Sequence, residues 1–149
     1  MLLAAGLGSA CALLTAAEVA SVQGEKPVEI RPTTPLPDAA QCHFTLPTAA
    51  KFVVVEVTRG PRVAQLADRL RLAAEIEAEE AGEGEPHAVD RVEGLGDEAF
   101  WADGVRQGSL YVRRGTTLLR ITVGGDEGKE AKMNKLRFLA RKALPRLRK

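Results

Sequence analysis

Cysteine, histidine and aromatic side chains are scarce in this chain. Its 149 residues include two cysteines, two histidines, one tryptophan, one tyrosine and four phenylalanines. The histidines, His43 and His87, stand in no HExxH or other ligand spacing, so each reads as a surface or strand residue rather than a ligand or base. Ser9, Ser21 and Ser109 are the only serines, and none sits in a nucleophile elbow. No Walker loop occurs, and Gly94-Leu-Gly96 is a bare GxG without the strand–turn–helix setting of a dinucleotide site. No apolar run approaches the ~20 residues that span a bilayer, which predicts a soluble chain or one tethered only at its N-terminus. Charge of one sign is missing as well. Against 21 basic residues stand 20 acidic ones, a net +1, so no global field draws the chain to nucleic acid or anionic lipid. Neither a cofactor nor a nucleic-acid partner is expected.

What is present begins at the front end. Residues 1–10 form an apolar stub ending in Gly8-Ser-Ala10, without a basic n-region, that reads as the tail of an export signal. Cys11 follows directly, and Cys42 is the only other cysteine. Three readings stay open at this level. An exported domain oxidises an even pair of cysteines into one bridge. Cleavage after Ala10 would make Cys11 an acylated lipoprotein residue, although Gly8 stands where lipoproteins usually carry an aliphatic side chain. A cytoplasmic protein would keep two free buried thiols. Acylation and pairing of Cys11 exclude each other. A metal shared by Cys42 and His43 is disfavoured, because neighbouring strand residues point to opposite faces.

The rest, residues 11–149, reads as a single α+β domain. Thr15-Ala-Ala-Glu18 is a capping box that opens a first helix, with Leu13, Leu14, Val19 and Val22 as its apolar face and Gly24 as its stop. Val28 to Arg31 is a short strand, and the following segment with Pro32, Pro35 and Pro37 reads as extended loop. Cys42 to Leu46 alternates as a half-buried strand, and Phe52 to Val57, apolar on both faces, belongs centrally in the sheet. Gly60-Pro61 opens a second helix whose stripe is Val63, Leu66, Ala67, Leu70 and Ala74; Leu72 and Ile76 fall off it, which predicts burial broader than that of a simple surface helix or a shifted register. Residues 82–86 are a Gly/Pro loop. Strands follow near His87–Val92, Ala99–Ala102, Ser109–Arg113 and Thr116–Val123, the last two joined by a turn at Arg114-Gly115. A final helix capped by Asp126 buries Met133, Leu136, Ala140, Ala143, Leu144 and Leu147, and Pro145 ends or bends it. Strands in runs with short turns predict an antiparallel sheet packed with about three helices, not a doubly wound parallel sheet.

Cys11-Ala-Leu-Leu-Thr15-x-x-Glu18-Val19, Gln41-Cys42-His-Phe44, Gly94-Leu-Gly-Asp-Glu-Ala-Phe-Trp101, Leu110-Tyr-Val-Arg-Arg-Gly115 and a closing Leu/Ala/Lys/Arg helix form an ordered series. The series resembles a group of small bacterial exported or lipid-anchored proteins with a PsbP-like sandwich of antiparallel sheet and helices. That resemblance implies the fold, export and a Cys11–Cys42 bridge; it carries no catalytic residues. Such a bridge closes a loop of about 30 residues and stabilises by roughly 3–4 kcal/mol in the chain-entropy model.

Gly94–Trp101 is the leading candidate surface. It brings two glycines, Asp97, Glu98 and the sole tryptophan within one short stretch, with Tyr111 on a neighbouring strand. Trp101 is either a recognition anchor or a core residue. The predicted role is a non-enzymatic extracytoplasmic binding or accessory module for a small apolar ligand or a protein partner. Two alternatives remain: a small enzyme using Asp97, Glu98 and Asp103, and an envelope protein that rests Arg137, Arg141 and Lys142 of its basic last helix on anionic membrane.

Overall fold

Successive strands return on themselves through short turns, and the computed structural model, which describes residues 9–81, 89–103 and 108–147, assembles them into one sheet. The strands are β1 (Glu29–Leu36), β2 (Ala39–Thr45), β3 (Val53–Arg59), β4 (Val89–Arg91), β5 (Glu98–Asp103), β6 (Gly108–Arg114) and β7 (Thr117–Val123). The helices are α1 (Ala16–Gln23), α2 (Val63–Ala81) and α3 (Lys129–Ala143), with 3-10 turns at Ala10–Leu13 and Leu144–Arg146. All neighbouring strands pair antiparallel in the order β1-β2-β3-β7-β6-β5-β4. The α+β class with an antiparallel sheet and three helices is therefore the observed one.

Strand periodicity assigns the layers. Leu119, Ile121 and Val123 of β7 join Cys42, Phe44, Val53, Val55 and Val57 in the larger core, under α1, α3 and the N-terminal turn. Leu118, one residue out of phase, joins Phe100 and Ala102 under Val63, Ala67 and Ala74 of α2. The sheet thus lies between α1/α3 on one face and α2 on the other. Leu72 and Ile76 are 55% and 46% exposed, so α2 buries a single stripe and not the broader surface expected from those two residues.

Several boundaries differ from the sequence reading. β1 runs through Pro32 and Pro35 instead of dissolving into loop. It is an edge strand, the position where proline is tolerated in a sheet, and its prolines guard that edge against pairing with another chain. α3 begins after Gly128, not at Asp126: the Lys132 N–H donates to the Gly128 carbonyl at 3.1 Å, and Asp126 lies exposed in the preceding bend. The β6–β7 turn is Gly115-Thr116, one residue later than expected, with Gly115 at φ 60°. Pro145 does end α3, which passes into a 3-10 turn. The loop expected at 82–86, His87 and residues 1–8 of the stub lie outside the described residues.

Four pins hold the α1/α3 face. Cys11 is bonded to buried Cys42 of β2, with Cα atoms 4.9 Å apart; its sulfur is thereby unavailable for an acyl thioether. Gln23, 3% exposed at the end of α1, donates from Nε2 to the Lys51 and Gly124 carbonyls at 2.9 and 3.0 Å and accepts from Lys135 Nζ at 2.7 Å. Arg114 donates to the Leu144 and Leu147 carbonyls at 3.0 and 3.1 Å, satisfying backbone acceptors at the end of α3. Arg146 donates to both carboxylate oxygens of Glu18 at 2.7 and 2.8 Å. Glu18 is also the reciprocal member of the Thr15 capping box, and Gly24 closes α1 in the left-handed conformation at φ 80°. Among the described residues, no helix is long and apolar enough to cross a membrane.

Two outcomes follow for stability. Replacing Cys11 and Cys42 together by alanine is expected to lower the unfolding free energy by about 3–4 kcal/mol in urea titrations; a loss below about 1 kcal/mol contradicts the pinning role. The Arg146 hydrogen bond, aided by those from Thr15 and opposed by burial, lowers the Glu18 pKa from 4.5 to about 2. A depressed carboxylate pKa stabilises the fold above the unfolded value and loses that contribution as pH falls through the folded one. Between pH 4.5 and 2, the Tm of wild type should therefore fall more steeply than that of Glu18→Gln. Parallel Tm profiles contradict the assignment.

Candidate functional site

Seven strands spaced ~4.8 Å apart make a sheet about 29 Å wide, whereas a helix with its side chains is roughly 10–12 Å across. On its face α2 is the only helix among the described residues, and it packs over β4, β5, β6 and β7. Among the described residues, no helix covers the same face of β1, β2 and β3. Where the helix stops and the bare sheet begins there is a groove.

Register places one row of side chains across its floor: Gln41 opposite Glu56, Glu56 opposite Arg120, Arg120 opposite Tyr111, and Tyr111 opposite Phe100. These contacts run in series. Arg120 Nη1 donates to Glu56 Oε1 at 3.2 Å, and its guanidinium lies 5.8 Å from the Tyr111 ring centroid. Tyr111 stacks on Phe100 with centroids 5.0 Å apart and planes 14° apart. Arg71 of α2 lies 5.8 Å over the far side of the row, above Phe100. Cation–π and stacking contacts of this kind contribute about 0.5–1.5 kcal/mol each, so the floor is a rigid, half-buried platform. Burial raises the Tyr111 pKa, with Arg120 opposing, so its phenol stays protonated at neutral pH.

The walls of the groove are apolar. Leu66 and Leu70 of α2, Leu118 of β7 and Leu36 of β1, the last 59% exposed, enclose a cavity of about 260 Å³ with Tyr111 and Arg120. Through Asp38, Thr58 and Leu66 it shares a wall with a second cavity of about 420 Å³ at the start of α2, lined also by Arg59, Pro61, Arg62, Val63 and Arg69. The larger cavity falls within the range of small-molecule sites, which span roughly 300–1,000 Å³, and the smaller one adjoins it.

The residues singled out in the sequence separate on the two faces. Tyr111 lines the groove. Trp101, its diagonal neighbour on β5, points the other way into the larger core at 2% exposure. Its ring packs so closely on Gly108 that a Cβ there would come within 2.0 Å of it. Its Nε1 has no hydrogen-bond partner among the described residues. Of the two readings of Trp101 the structure shows the core residue: strand alternation sends Trp101 into the larger core and Phe100 to the other face, where α2 buries it. Asp97 and Glu98 are structural anchors of the β5–β6 hairpin. Asp97 Oδ2 accepts from the Gly115 N–H at 2.7 Å, and Glu98 Oε2 accepts from Arg113 Nε at 3.0 Å. Both also lie within salt-bridge distance of arginine, Arg113 for Asp97 at 3.7 Å and Arg71 for Glu98 at 4.0 Å. The Asp103 side chain lies outside the described residues. His43, half-buried on the uncovered part of β2, packs beside Phe52 with ring centroids 5.9 Å apart. Among the described residues, no group of three or more His, Cys, Asp or Glu is placed to hold a metal ion.

Sequence reasoning missed Leu36, Glu56 and Arg120. Leu66 and Leu70 were assigned to the helix stripe; they pack partly on the smaller core and spend their remaining surface on the groove.

No protein-family model matches the chain, and no curated protein matches it. Among solved structures, the crystal structure of a GTP binding regulator from Thermotoga maritima is similar to it at a TM-score of 0.48 and 10% sequence identity, covering 91% of each chain. A likeness at that level carries no conclusion about this chain.

Proposed function

We propose that this chain is an extracytoplasmic, non-enzymatic binding module that takes a small apolar ligand in the groove between α2 and the open half of the sheet. The observation that carries this reading is the pair of adjoining cavities of about 260 and 420 Å³, the smaller walled by Leu36, Leu66, Leu70 and Leu118 with Tyr111 and Arg120 on its floor. Preformed apolar concavities with a few convergent polar groups are where proteins bind small molecules. The Cys11–Cys42 bond supports the compartment, because structural disulfides persist in oxidising surroundings. The same reading groups the chain with the small exported bacterial proteins it resembles.

A neutral fluorescent probe, N-phenyl-1-naphthylamine, tests it. Wild-type protein should bind the probe at one site, and Leu36→Asp should weaken binding about tenfold or more, equivalent to ~1.4 kcal/mol. Leu36 lies exposed on the edge strand, so the substitution leaves both cores untouched. Equal probe affinity in the two proteins, or no binding by either, overturns the proposal.

A further inference from the structure

The groove is uneven in charge, and we infer that its ligand is an anion-headed amphiphile, with an apolar chain along Leu66, Leu70, Leu118 and Tyr111 and an acid group held by Arg62 and Arg69. The inference rests on the groove being the binding site, as proposed above, and adds the class of ligand.

Arg62 and Arg69 are seven positions apart at the start of α2. Seven residues make about two turns, so the two side chains leave the same side of the segment roughly 10 Å apart along its axis. Both line the 420 Å³ cavity, and Leu66 stands between them. Both are exposed, and neither side chain forms a hydrogen bond or ion pair with a described residue. The other charges do not cancel them. Of the carboxylates lining the groove, Glu56 is already held by Arg120 at 3.2 Å. That leaves Asp38 as the one acid lining the 420 Å³ cavity among the described residues, against Arg62 and Arg69.

One end of the groove therefore presents a surplus of guanidinium groups, and the other presents leucine and tyrosine. A guanidinium is the side chain best matched to a planar carboxylate or a phosphate, which it can meet with two parallel hydrogen bonds. The apolar end has no comparable use for a second charge: Arg120, its one cation among the described residues, is committed to Glu56. A ligand with one anionic head and one apolar tail satisfies both ends at once. A sugar or a free nucleotide would leave the leucine wall against polar groups, which costs desolvation without return.

Calorimetric titration with three probes of one chain length, each below its micellar concentration, separates the contributions: dodecanoate, dodecan-1-ol and dodecyltrimethylammonium. Dodecanoate should bind tightest at low salt and weaken as ionic strength rises. The double variant Arg62→Gln/Arg69→Gln should bind dodecanoate about tenfold more weakly and dodecan-1-ol as wild type does, the second result serving as the control for folding. Equal affinity for the cationic and anionic probes, or a double variant indistinguishable from wild type, overturns the head-group assignment and leaves the apolar site standing. Absence of binding by all three probes overturns this inference together with the reading of the groove on which it rests.

Discussion

A single helix cannot cover a seven-stranded sheet, and the architecture turns on that mismatch. β7 and its neighbours carry apolar residues on both faces, so both faces need a cover. One face receives α1, α3 and the N-terminal turn together. The other receives α2, which is wide enough for the β4–β7 half and no more. Polar and half-buried side chains of β2 and β3, such as Gln41, His43, Glu56 and Thr58, occupy the remainder, where full burial would strand them. Among the described residues, the groove is thus a consequence of seven strands faced on that side by one helix.

Covalent and polar pins are concentrated on the opposite face. The Cys11–Cys42 bond, the Gln23 node, the Arg114 cap on α3 and the Arg146–Glu18 pair all tie the N-terminal segment and the C-terminal helix to the sheet. These contacts join residues up to 133 positions apart in sequence, as in the bond from Arg146 to the Leu13 carbonyl. The α2 face relies on side-chain packing of Val63, Ala67 and Ala74 and on the ladder Arg71–Phe100–Tyr111–Arg120–Glu56. The disulfide and the polar ties to the chain's two ends thus lie behind the sheet, while the α2 face is held by side-chain packing and by pairs such as Arg120–Glu56. Elements with fewer buried contacts are also those that open at lower free energy.

Much of this was legible in the sequence wherever the governing contact is local. The Thr15/Glu18 capping box, the Gly24 stop and the alternation along β7 each depend on residues within a few positions of one another, and each is present as read. What could not be read depends on partners distant in the chain. The strand character of Pro32 and Pro35 follows from β1 lying at the sheet edge, which is a property of strand order. Which helix layer buries Phe100 and which buries Trp101 follows from the side on which α2 crosses, which the β5 sequence does not encode. Glu56 and Arg120 meet across 64 residues because β3 pairs with β7, so neither has a local signature of a site. Asp126 had the form of a cap, but the first helical hydrogen bond is made to the Gly128 carbonyl, and the aspartate is left outside the helix.

Solvent mapping by two-dimensional NMR tests the central claim most directly, because a small apolar cosolvent such as propan-2-ol seeks out preformed apolar concavities without presupposing a ligand. The account predicts concentration-dependent shifts clustered at Leu36, Thr58, Leu66 and Tyr111, with the Trp101 indole unmoved. Shifts scattered over the surface, or centred on Trp101 and the α1/α3 face, would contradict it.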